Sequence, residues 1–215
     1  MATEVPTGAL PGWLHRLTGP TRAPQKPPPL QGPLEVQRWS IPAELRNHKA
    51  WACWRYEFEH QRWSKPPYHP GGMKAEPSDP GTWSEFDECY EPYRTSGRPS
   101  ELYGGRFYDG VSFGLSPRWG IVGFDLDHVS QWPAGASEIV RQLDSYTETT
   151  PGRDGIRIFV HGSLPPGRRR RGNVEAYDSR RFLSTTGHHL VHTPLDIRRR
   201  DRELYTVWDR WLNRG

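Results

Sequence analysis

The sequence contains little cysteine and no long apolar run. Its two cysteines, Cys53 and Cys89, are too few to form a zinc site by themselves, and their spacing does not suggest a disulfide framework. No stretch approaches the length of a membrane span. The first residues, MATEVPTGALPGWLHR, lack the basic start and apolar core of a secretory signal. We therefore expect a cytoplasmic protein that does not interact with a membrane.

Hydrophobic residues are also scarce, at 33% of the chain, whereas Trp, Tyr and Phe reach 12% and proline and glycine contribute 22 residues each. This composition predicts a loop-rich domain whose core depends on aromatic side chains. With 215 residues, the chain is long enough for one domain of ordinary size, with or without a tail. The formal charge of +4, with arginine concentrated in the last third, favours a polyanionic partner.

The amino-terminal part of the chain differs from the rest. It includes GPTRAPQKPPPLQGP, which cannot pack as a helix or a central strand and predicts a disordered tail or linker over residues 1–40. From IPAELRNHKAWACWRYEF onward the sequence becomes aromatic and strand-like, so we predict the folded domain over residues 41–215. Strand-like stretches mixed with helical ones indicate an α+β or a mixed α/β domain.

The segment GIVGFDLDHV carries two carboxylates at the end of a predicted strand. Because alternate residues of a strand face opposite sides, Asp125 and Asp127 share one face, and Val122, Phe124 and Leu126 form the other. Two residues of strand rise about 6.5 Å, and ionised oxygens placed in this way suit Mg²⁺ or Mn²⁺. A solvated strand end that happens to carry two acids is the alternative.

A second predicted strand, in TPGRDGIRIFVHG, follows a turn that contains Gly152 and Gly155. The backbone N–H groups of such a turn could approach an anion, and an ordinary hairpin turn is the alternative. Arg157 is expected on the polar face of the strand, where its planar guanidinium can bind phosphate through paired hydrogen bonds. In VEAYDSRRFLSTTGHHL, the mid-strand Glu175 is predicted to join the two aspartates as a third oxygen ligand, whereas Asp178 is expected to stabilise its turn.

In this order, DLDHV, TPGRDGIRIFVHG and VEAYDSRRFLSTTGHH resemble the three motifs of the archaeo-eukaryotic primase superfamily, in the primase-polymerase branch of phages and plasmids. The stretch KAWACWRYEFEHQRWSKPPYHPGGMKAEPSDPGTWSEFDE is similar to the opening of its phage-type members, so the resemblance covers roughly residues 45–190. It implies an α+β core of mixed sheets flanked by helices. It also implies synthesis of primers, or extension of DNA, from nucleoside triphosphates with Mg²⁺ or Mn²⁺.

The resemblance implies roles for individual residues. Asp125 and Asp127 match the metal-binding pair, and Glu175 matches the third acid. The superfamily's Ser-Gly-x-Gly-x-His motif has Gly152 at the serine position and Arg157 at the histidine position. Arginine can bind phosphate but cannot donate a proton near neutral pH, so the resemblance predicts the fold more firmly than the activity. The other nucleotide-binding positions that it implies are Lys65, Gly155, Arg181, Thr186 and Gly187.

Four consecutive arginines follow Pro-Pro-Gly between two predicted strands, namely Arg168, Arg169, Arg170 and Arg171. If their hairpin lies near the metal site, they would hold the phosphates of a template strand. A solvated loop is the alternative.

Our main hypothesis is a template-dependent nucleotidyltransferase, a DNA primase or polymerase that uses two divalent metal ions, single-stranded DNA and dNTPs or NTPs. The sequence leaves open whether a separate helicase acts with it. The first alternative is a catalytically weak replication module of the same fold that binds nucleic acid or nucleotide. The second alternative is a metal-dependent nuclease that uses the same acids, although no histidine or lysine base stands beside them.

Overall fold

The computed structural model of the chain describes residues 32–95 and 108–214. Its strands, in chain order, are Trp51–Trp54 (β1), Glu57–Glu59 (β2), Arg62–Ser64 (β3), Pro67–Tyr68 (β4), Gly110–Leu115 (β5), Ile121–Asp127 (β6), Thr147–Thr149 (β7), Gly155–His161 (β8), Arg170–Arg171 (β9), Val174–Tyr177 (β10) and Arg181–Thr185 (β11). The helices are Ala43–Arg46 (α1), Phe86–Thr95 (α2), Pro133–Leu143 (α3) and Asp201–Trp208 (α4), and α4 continues into a π-helical stretch, Asp209–Arg214. This mixture of helices and antiparallel sheets confirms the α+β prediction.

The strands form two antiparallel sheets and a separate hairpin. The first sheet has the order β11-β5-β1-β4, the second has the order β7-β8-β6-β10-β9, and β2 pairs with β3. The two sheets meet where the edge strand β11 lies against the inner face of the second sheet. There, Arg157 of β8 donates to the carbonyl oxygen of Ser184, and Leu183 occupies the space above Gly123 that a side chain would otherwise fill. The arrangement leaves an open cleft between the inner face of the second sheet and one face of the first.

Aromatic side chains build the core on the other face of the first sheet. The ring of Trp51 contacts Phe86 of α2 at 4.7 Å and Phe113 of β5 at 5.3 Å, both edge to face, an arrangement that aromatic pairs prefer. Trp83, which precedes α2, and Tyr93 of α2 are also buried. Asp79 caps the 3₁₀ turn before α2, because its side chain accepts a hydrogen bond from the N–H of Gly81.

The strand alternation predicted for β6 is confirmed. Val122, Phe124 and Leu126 are fully buried and pack against α3 and α4 on the outer face of the second sheet. Asp125 and Asp127 therefore project from the inner face, and Asp125 lines the cleft. Within the described ranges, no helix is both long enough and apolar enough to cross a membrane.

β10 and β11 follow each other in the chain but belong to different sheets. β10 pairs with β6, and β11 pairs with β5. The turn between them contains Arg180 in a left-handed conformation, with a φ of 51°. This turn carries the chain from one sheet to the other, so Arg181, at the start of β11, comes back toward Glu175 of β10.

Contacts with the domain begin before Ile41, the residue at which the sequence predicts its start. Val36 is buried in the aromatic core, and its N–H donates to the hydroxyl of Tyr93 at 3.0 Å. The N–H of Gln37 donates to the carbonyl of Thr186 at 2.7 Å. The domain thus contacts the end of the predicted tail, of which residues 1–31 lie outside the described range.

Candidate active site

Five ionisable residues form a row across the inner face of the second sheet. Strand register places Glu148 opposite Arg157, Arg157 opposite Asp125, Asp125 opposite Glu175, and Glu175 opposite Arg170. Directly opposed residues of antiparallel strands project from the same face, with Cβ atoms about 4.5–5.5 Å apart. The register of five strands, and not nearness in the sequence, therefore assembles the site.

Asp125 and Arg157 form a buried ion pair at the centre of this row. The Arg157 Nη2 atom lies 2.6 Å from the Asp125 Oδ2 atom, and the two side chains are only 4% and 13% exposed. The other terminal nitrogen, Nη1, donates to the carbonyl oxygen of Ser184 and, at 3.2 Å, to its hydroxyl. Arg157 thus orients Asp125 and ties it to the edge strand of the first sheet.

The free oxygens of the aspartate pair fit a divalent cation. The Asp125 Oδ1 atom is buried and has no hydrogen-bond partner among the described residues. The Asp127 carboxylate is half-buried and likewise forms no side-chain hydrogen bond within residues 32–95 and 108–214. Buried carboxylate oxygens normally have a donor or a cation, and Mg²⁺ and Mn²⁺ prefer such oxygens. Asp125 and Asp127 therefore suit the metal-binding role that the sequence predicts for them.

Glu175 has a different environment, in which arginines engage both of its carboxylate oxygens. The Nε atom of Arg170 lies 3.1 Å from Oε1, and Nη2 of Arg181 lies 3.1 Å from Oε2. The hydroxyl of Tyr177 also donates to Oε2, at 2.9 Å. Burial, together with this hydrogen bond to Glu175, raises the pKa of Tyr177. In this arrangement, both oxygens of Glu175 lie beside an arginine, whereas Oδ1 of Asp125 has no positively charged neighbour bonded to it.

The described part of the chain also contains no group of three His, Cys, Asp or Glu side chains gathered closely enough to hold one metal ion. The predicted triad of Asp125, Asp127 and Glu175 is therefore not assembled as a set of three ligands. The carboxylates do share one face of the sheet, because Glu175 is the cross-strand neighbour of Asp125. The role of Glu175 as third ligand stays a prediction, and its arginine partners do not support it.

A cleft of about 290 Å³ opens beside the ion pair. Three of the predicted nucleotide-binding residues, Lys65, Arg157 and Arg181, line it together with Asp125. Its remaining walls consist of Trp54, Pro67, Pro77, Ser112, Phe182 and Ser184. The structure thus gathers three cations around one carboxylate that has an unpaired oxygen, although these residues come from sequence positions far apart.

The glycine loop before β8 lies beside the Asp127 end of β6. Gly155 pairs with Asp127, and a side chain at Gly155 would come within 2.5 Å of the Thr150 hydroxyl. Gly152 has open space around it. The side chain of Asp154 accepts a hydrogen bond from the N–H of Ser130 at 3.0 Å, which joins this loop to the segment after β6. Neither glycine lines the cleft, so phosphate binding by this loop stays a prediction.

Glu148 is a central residue that the sequence analysis missed. It is fully buried, and it accepts hydrogen bonds from the N–H groups of Thr186 and Gly187, at 3.0 and 2.8 Å, and from the hydroxyl of Tyr146 at 2.9 Å. Burial raises the pKa of Glu148, and these hydrogen bonds counteract the shift. Through these hydrogen bonds, Glu148 fixes the end of β11 against the second sheet.

The same contacts explain the placement of two predicted nucleotide-binding residues. Thr186 is buried, and its hydroxyl donates to the carbonyl of Thr149 at 2.7 Å. Gly187 has a φ of 72°, and a side chain there would collide with the carbonyl oxygen of Gln37. Both residues therefore have structural partners away from the cleft, and their placement gives no support to a nucleotide contact.

We expect the Glu148→Gln variant to unfold more easily. An amide presents a donor where a carboxylate oxygen now accepts, so one buried donor loses its partner, at a cost of about 1–3 kcal/mol. The free energy of unfolding, measured by urea denaturation, would show this loss. Glu59→Gln is the matched control, because Glu59 is exposed, and it should change stability by less than about 0.5 kcal/mol. Equal stability of the two variants would contradict the role given to Glu148.

Two side chains of the arginine run contact other groups of the described chain, and two do not. Arg170 contacts Glu175, and Arg169 donates to the carbonyl of Pro165 at 2.7 Å. Arg168 is exposed and Arg171 is half-buried, and the side chains of both lack hydrogen bonds and ion pairs within the described ranges. Two arginines of the run are thus available to a partner, and a third links the run to the charged row.

His161 shares a face of β8 with Arg157 but takes no part in the cleft. Its Nε2 atom lies 2.8 Å from a carboxylate oxygen of Glu44 in α1. Asp178, predicted to stabilise its own turn, accepts a hydrogen bond from the hydroxyl of Ser179 and a second one from the N–H of Leu164, both at 3.3 Å. It therefore ties the turn after β10 to the segment after β8.

Comparison with known proteins gives one informative similarity. No protein-family model matches the chain. In an alignment of 164 positions that covers 68% of the chain, it is 30% identical to the DNA primase-polymerase of Nitratiruptor phage NrS-1. The matched region makes up 20% of that protein, so the chain spans only a small part of the length of this relative. The similarity supports a relationship between this chain and the primase-polymerases.

Proposed function

We propose that this chain is the catalytic domain of a template-dependent nucleotidyltransferase, a DNA primase or polymerase of the archaeo-eukaryotic primase superfamily. The cleft carries the proposal: Lys65, Arg157 and Arg181 surround Asp125, whose second oxygen is buried and unpaired. Cations gathered around a carboxylate of this kind suit a metal-bound triphosphate. The similarity to a phage primase-polymerase supports the same assignment.

Asp125 and Asp127 would hold Mg²⁺ or Mn²⁺ through their free oxygens. When bound, such ions lower the pKa of an attacking 3′-hydroxyl and neutralise charge on the departing pyrophosphate. The contribution of the chain is to present these oxygens in a fixed orientation. Arg157 supplies it for Asp125, since the guanidinium contacts Oδ2 and leaves Oδ1 directed away from the pair.

The three cations that line the cleft have different roles in binding a triphosphate. Arg157 is 3% exposed, and its terminal nitrogens already bond Asp125 and Ser184, so it acts mainly by holding Asp125 and by its fixed positive charge. The Arg181 side chain is 45% exposed and lines the cleft, so its guanidinium is accessible to phosphate oxygens. Lys65 faces the same space from the segment before β4. We therefore assign the direct phosphate contacts to Lys65 and Arg181.

Template binding is assigned to the two arginines of the run, Arg168 and Arg171, whose side chains form no hydrogen bond or ion pair within the described ranges. We expect serine substitution of Arg168 and Arg171 together to weaken binding of single-stranded DNA. The salt dependence should also become shallower, by about 0.7 in log–log slope for each phosphate contact that is lost. Fluorescence anisotropy of a labelled oligonucleotide at several salt concentrations measures both effects.

The control for this experiment removes the same charge elsewhere. Arg141 of α3 and Arg202 of α4 are exposed on helices that cover the outer face of the second sheet. Serine substitution of this pair should leave the salt slope close to that of the parent chain. Identical slopes for the two double variants would mean that the run is a solvated loop.

A second function, that of a catalytically weak nucleotide-binding module, also has an observation in its favour. Arg157 stands at the histidine position of the superfamily motif, and it is engaged in a buried ion pair. It cannot donate a proton near neutral pH. A module of this kind would keep the cation-lined cleft and bind nucleotides without joining them.

One experiment separates the two functions. The purified chain is incubated with single-stranded DNA, with or without a primer, and with labelled dNTPs or NTPs in Mn²⁺ or Mg²⁺. We expect metal-dependent incorporation directed by the template sequence. Metal-dependent nucleotide binding without incorporation under any of these conditions would favour the binding module, and hydrolysis of the DNA would indicate a nuclease.

A further inference from the structure

Glu175 contacts two arginines, Arg170 and Arg181, that lie at the binding surfaces for different substrates. We infer that it is a positioning residue for Arg170 and Arg181 and not a ligand of the metal. The inference rests on the proposed function, since it concerns how the cleft binds a triphosphate and a template strand. It differs from the role that the superfamily resemblance implies for Glu175.

The contacts show one buried acid that organises two exposed cations. The Glu175 side chain is 4% exposed, whereas those of Arg170 and Arg181 are 67% and 45% exposed. Each arginine forms an ion pair with a different carboxylate oxygen, at 3.1 Å in both cases, and Arg181 also donates a hydrogen bond. Exposed arginines lose rotamer freedom when they bind phosphate, and a carboxylate that restrains them beforehand reduces this cost.

Tyr177 provides a second restraint on the same group. Its hydroxyl donates to Glu175, and the guanidinium carbon of Arg181 lies 4.8 Å from the centre of its ring. Arg181 is therefore held by an ion pair on one side and by a cation–π contact on the other. Such a double restraint fixes the direction of a guanidinium, which is what paired hydrogen bonds to phosphate require.

The two arginines connect two surfaces. Arg181 lines the nucleotide cleft, whereas Arg170 belongs to β9 beside Arg171 of the template-binding run. Glu175 lies between them on β10, directly opposite both Asp125 and Arg170. Loss of its carboxylate should therefore weaken the binding of a triphosphate and of single-stranded DNA at the same time.

The environments of the carboxylates argue against a metal role for Glu175. Oε2 accepts hydrogen bonds from Arg181 and Tyr177, and Oε1 forms an ion pair with Arg170, so a cation bound there would lie beside two positive charges. Asp125 instead keeps one buried oxygen without a donor. A metal ion is therefore expected to depend on Asp125 and not on Glu175.

The first test measures Mn²⁺ binding to the chain without nucleotide, by electron paramagnetic resonance. Glu175→Gln should bind Mn²⁺ as the parent chain does, whereas Asp125→Asn should bind it about tenfold more weakly or worse. Weakening of Mn²⁺ binding by Glu175→Gln to the extent seen for Asp125→Asn would overturn the inference. If Asp125→Asn also binds as the parent does, the proposed metal pair fails, and the second test alone decides the role of Glu175.

The second test is a double-mutant cycle on the affinity for a nonhydrolysable nucleoside triphosphate analogue, with Glu175→Gln and Arg181→Ala. Glu175→Gln should raise the dissociation constant about tenfold in the parent chain and have little further effect once Arg181 is absent. Fully additive effects would show that Glu175 acts independently of Arg181 and would overturn the inference. If Glu175→Gln does not fold, Glu175→Asp serves in both tests, because it keeps the charge but shortens the reach to both arginines.

Discussion

We expect the Asp125→Asn variant to lose nucleotide incorporation. The substitution preserves the size of the side chain but removes the negative charge from the oxygen that is buried without a donor. Charge stabilisation by a bound metal ion amounts to several kcal/mol, so the single-turnover rate should fall by about a thousandfold or more. The measurement is incorporation of one labelled nucleotide on a primed template, with enzyme in excess and Mn²⁺ present.

Two further variants control this result. Asp127→Asn should have a similar effect, because Asp127 shares the inner face of β6 with Asp125. Asp196→Asn removes a carboxylate that is 70% exposed and distant in sequence from the charged row, and it should leave the rate close to that of the parent chain. Unchanged rates for both Asp125→Asn and Asp127→Asn would show that the metal site lies elsewhere.

The Arg157→Ala variant should lose both stability and nucleotide binding. Removing the guanidinium leaves Asp125 buried without its partner and deprives the Ser184 carbonyl of its donor. Breaking a buried ion pair from one side costs about 3–5 kcal/mol of unfolding free energy. Denaturation by guanidinium chloride measures the free energy of unfolding. Titration with a triphosphate analogue measures the binding, under conditions where the variant stays folded.

Two further variants separate the loss of stability from the loss of nucleotide binding. Arg157→Lys keeps the positive charge, but one ammonium group cannot bridge Asp125 and Ser184 as the planar guanidinium does, so we expect partial recovery of stability. Leu143→Ala removes a core side chain of α3 on the outer face of the second sheet, so it should lower the stability while the nucleotide affinity stays that of the parent chain. If Arg157→Ala has the stability and the nucleotide affinity of the parent chain, Arg157 is not part of the site.

The sequence predicts the local geometry of the site well where strand periodicity is sufficient. The alternation in GIVGFDLDHV correctly separates the core-facing residues of β6 from its two aspartates. The same period places Arg157 on the polar face of β8, and its pairing with Asp125 follows from the antiparallel register. The alternation within each strand depends only on residues close in the chain, which is why the pattern reveals it, whereas the pairing of Arg157 with Asp125 depends on the register between two strands.

Other features depend on contacts between distant strands and could not be read from the pattern. Glu148 lies in the three-residue strand β7, and its role depends on hydrogen bonds to backbone N–H groups 38 and 39 residues away. The arginine partners of Glu175 depend on β9 pairing and on the passage of the chain from one sheet to the other. In the sequence, Glu148 is only a single glutamate within the threonine-rich stretch TETT. A strand of three residues is too short for its alternation to show which side chains are buried.

Iron-directed cleavage would most directly test the central claim that Asp125 and Asp127 hold the catalytic metal. Fe²⁺ replaces Mg²⁺ or Mn²⁺ at many oxygen sites and, with ascorbate and peroxide, generates hydroxyl radicals that cut the chain beside the ion. We predict cuts within β6 at Asp125 to Asp127 and in the neighbouring strands β8 and β10 of the same sheet. These cuts should be suppressed by excess Mg²⁺ and absent from the variant with both aspartates replaced by asparagine. Cuts at another place, or the same cuts in the double variant, would contradict the assignment.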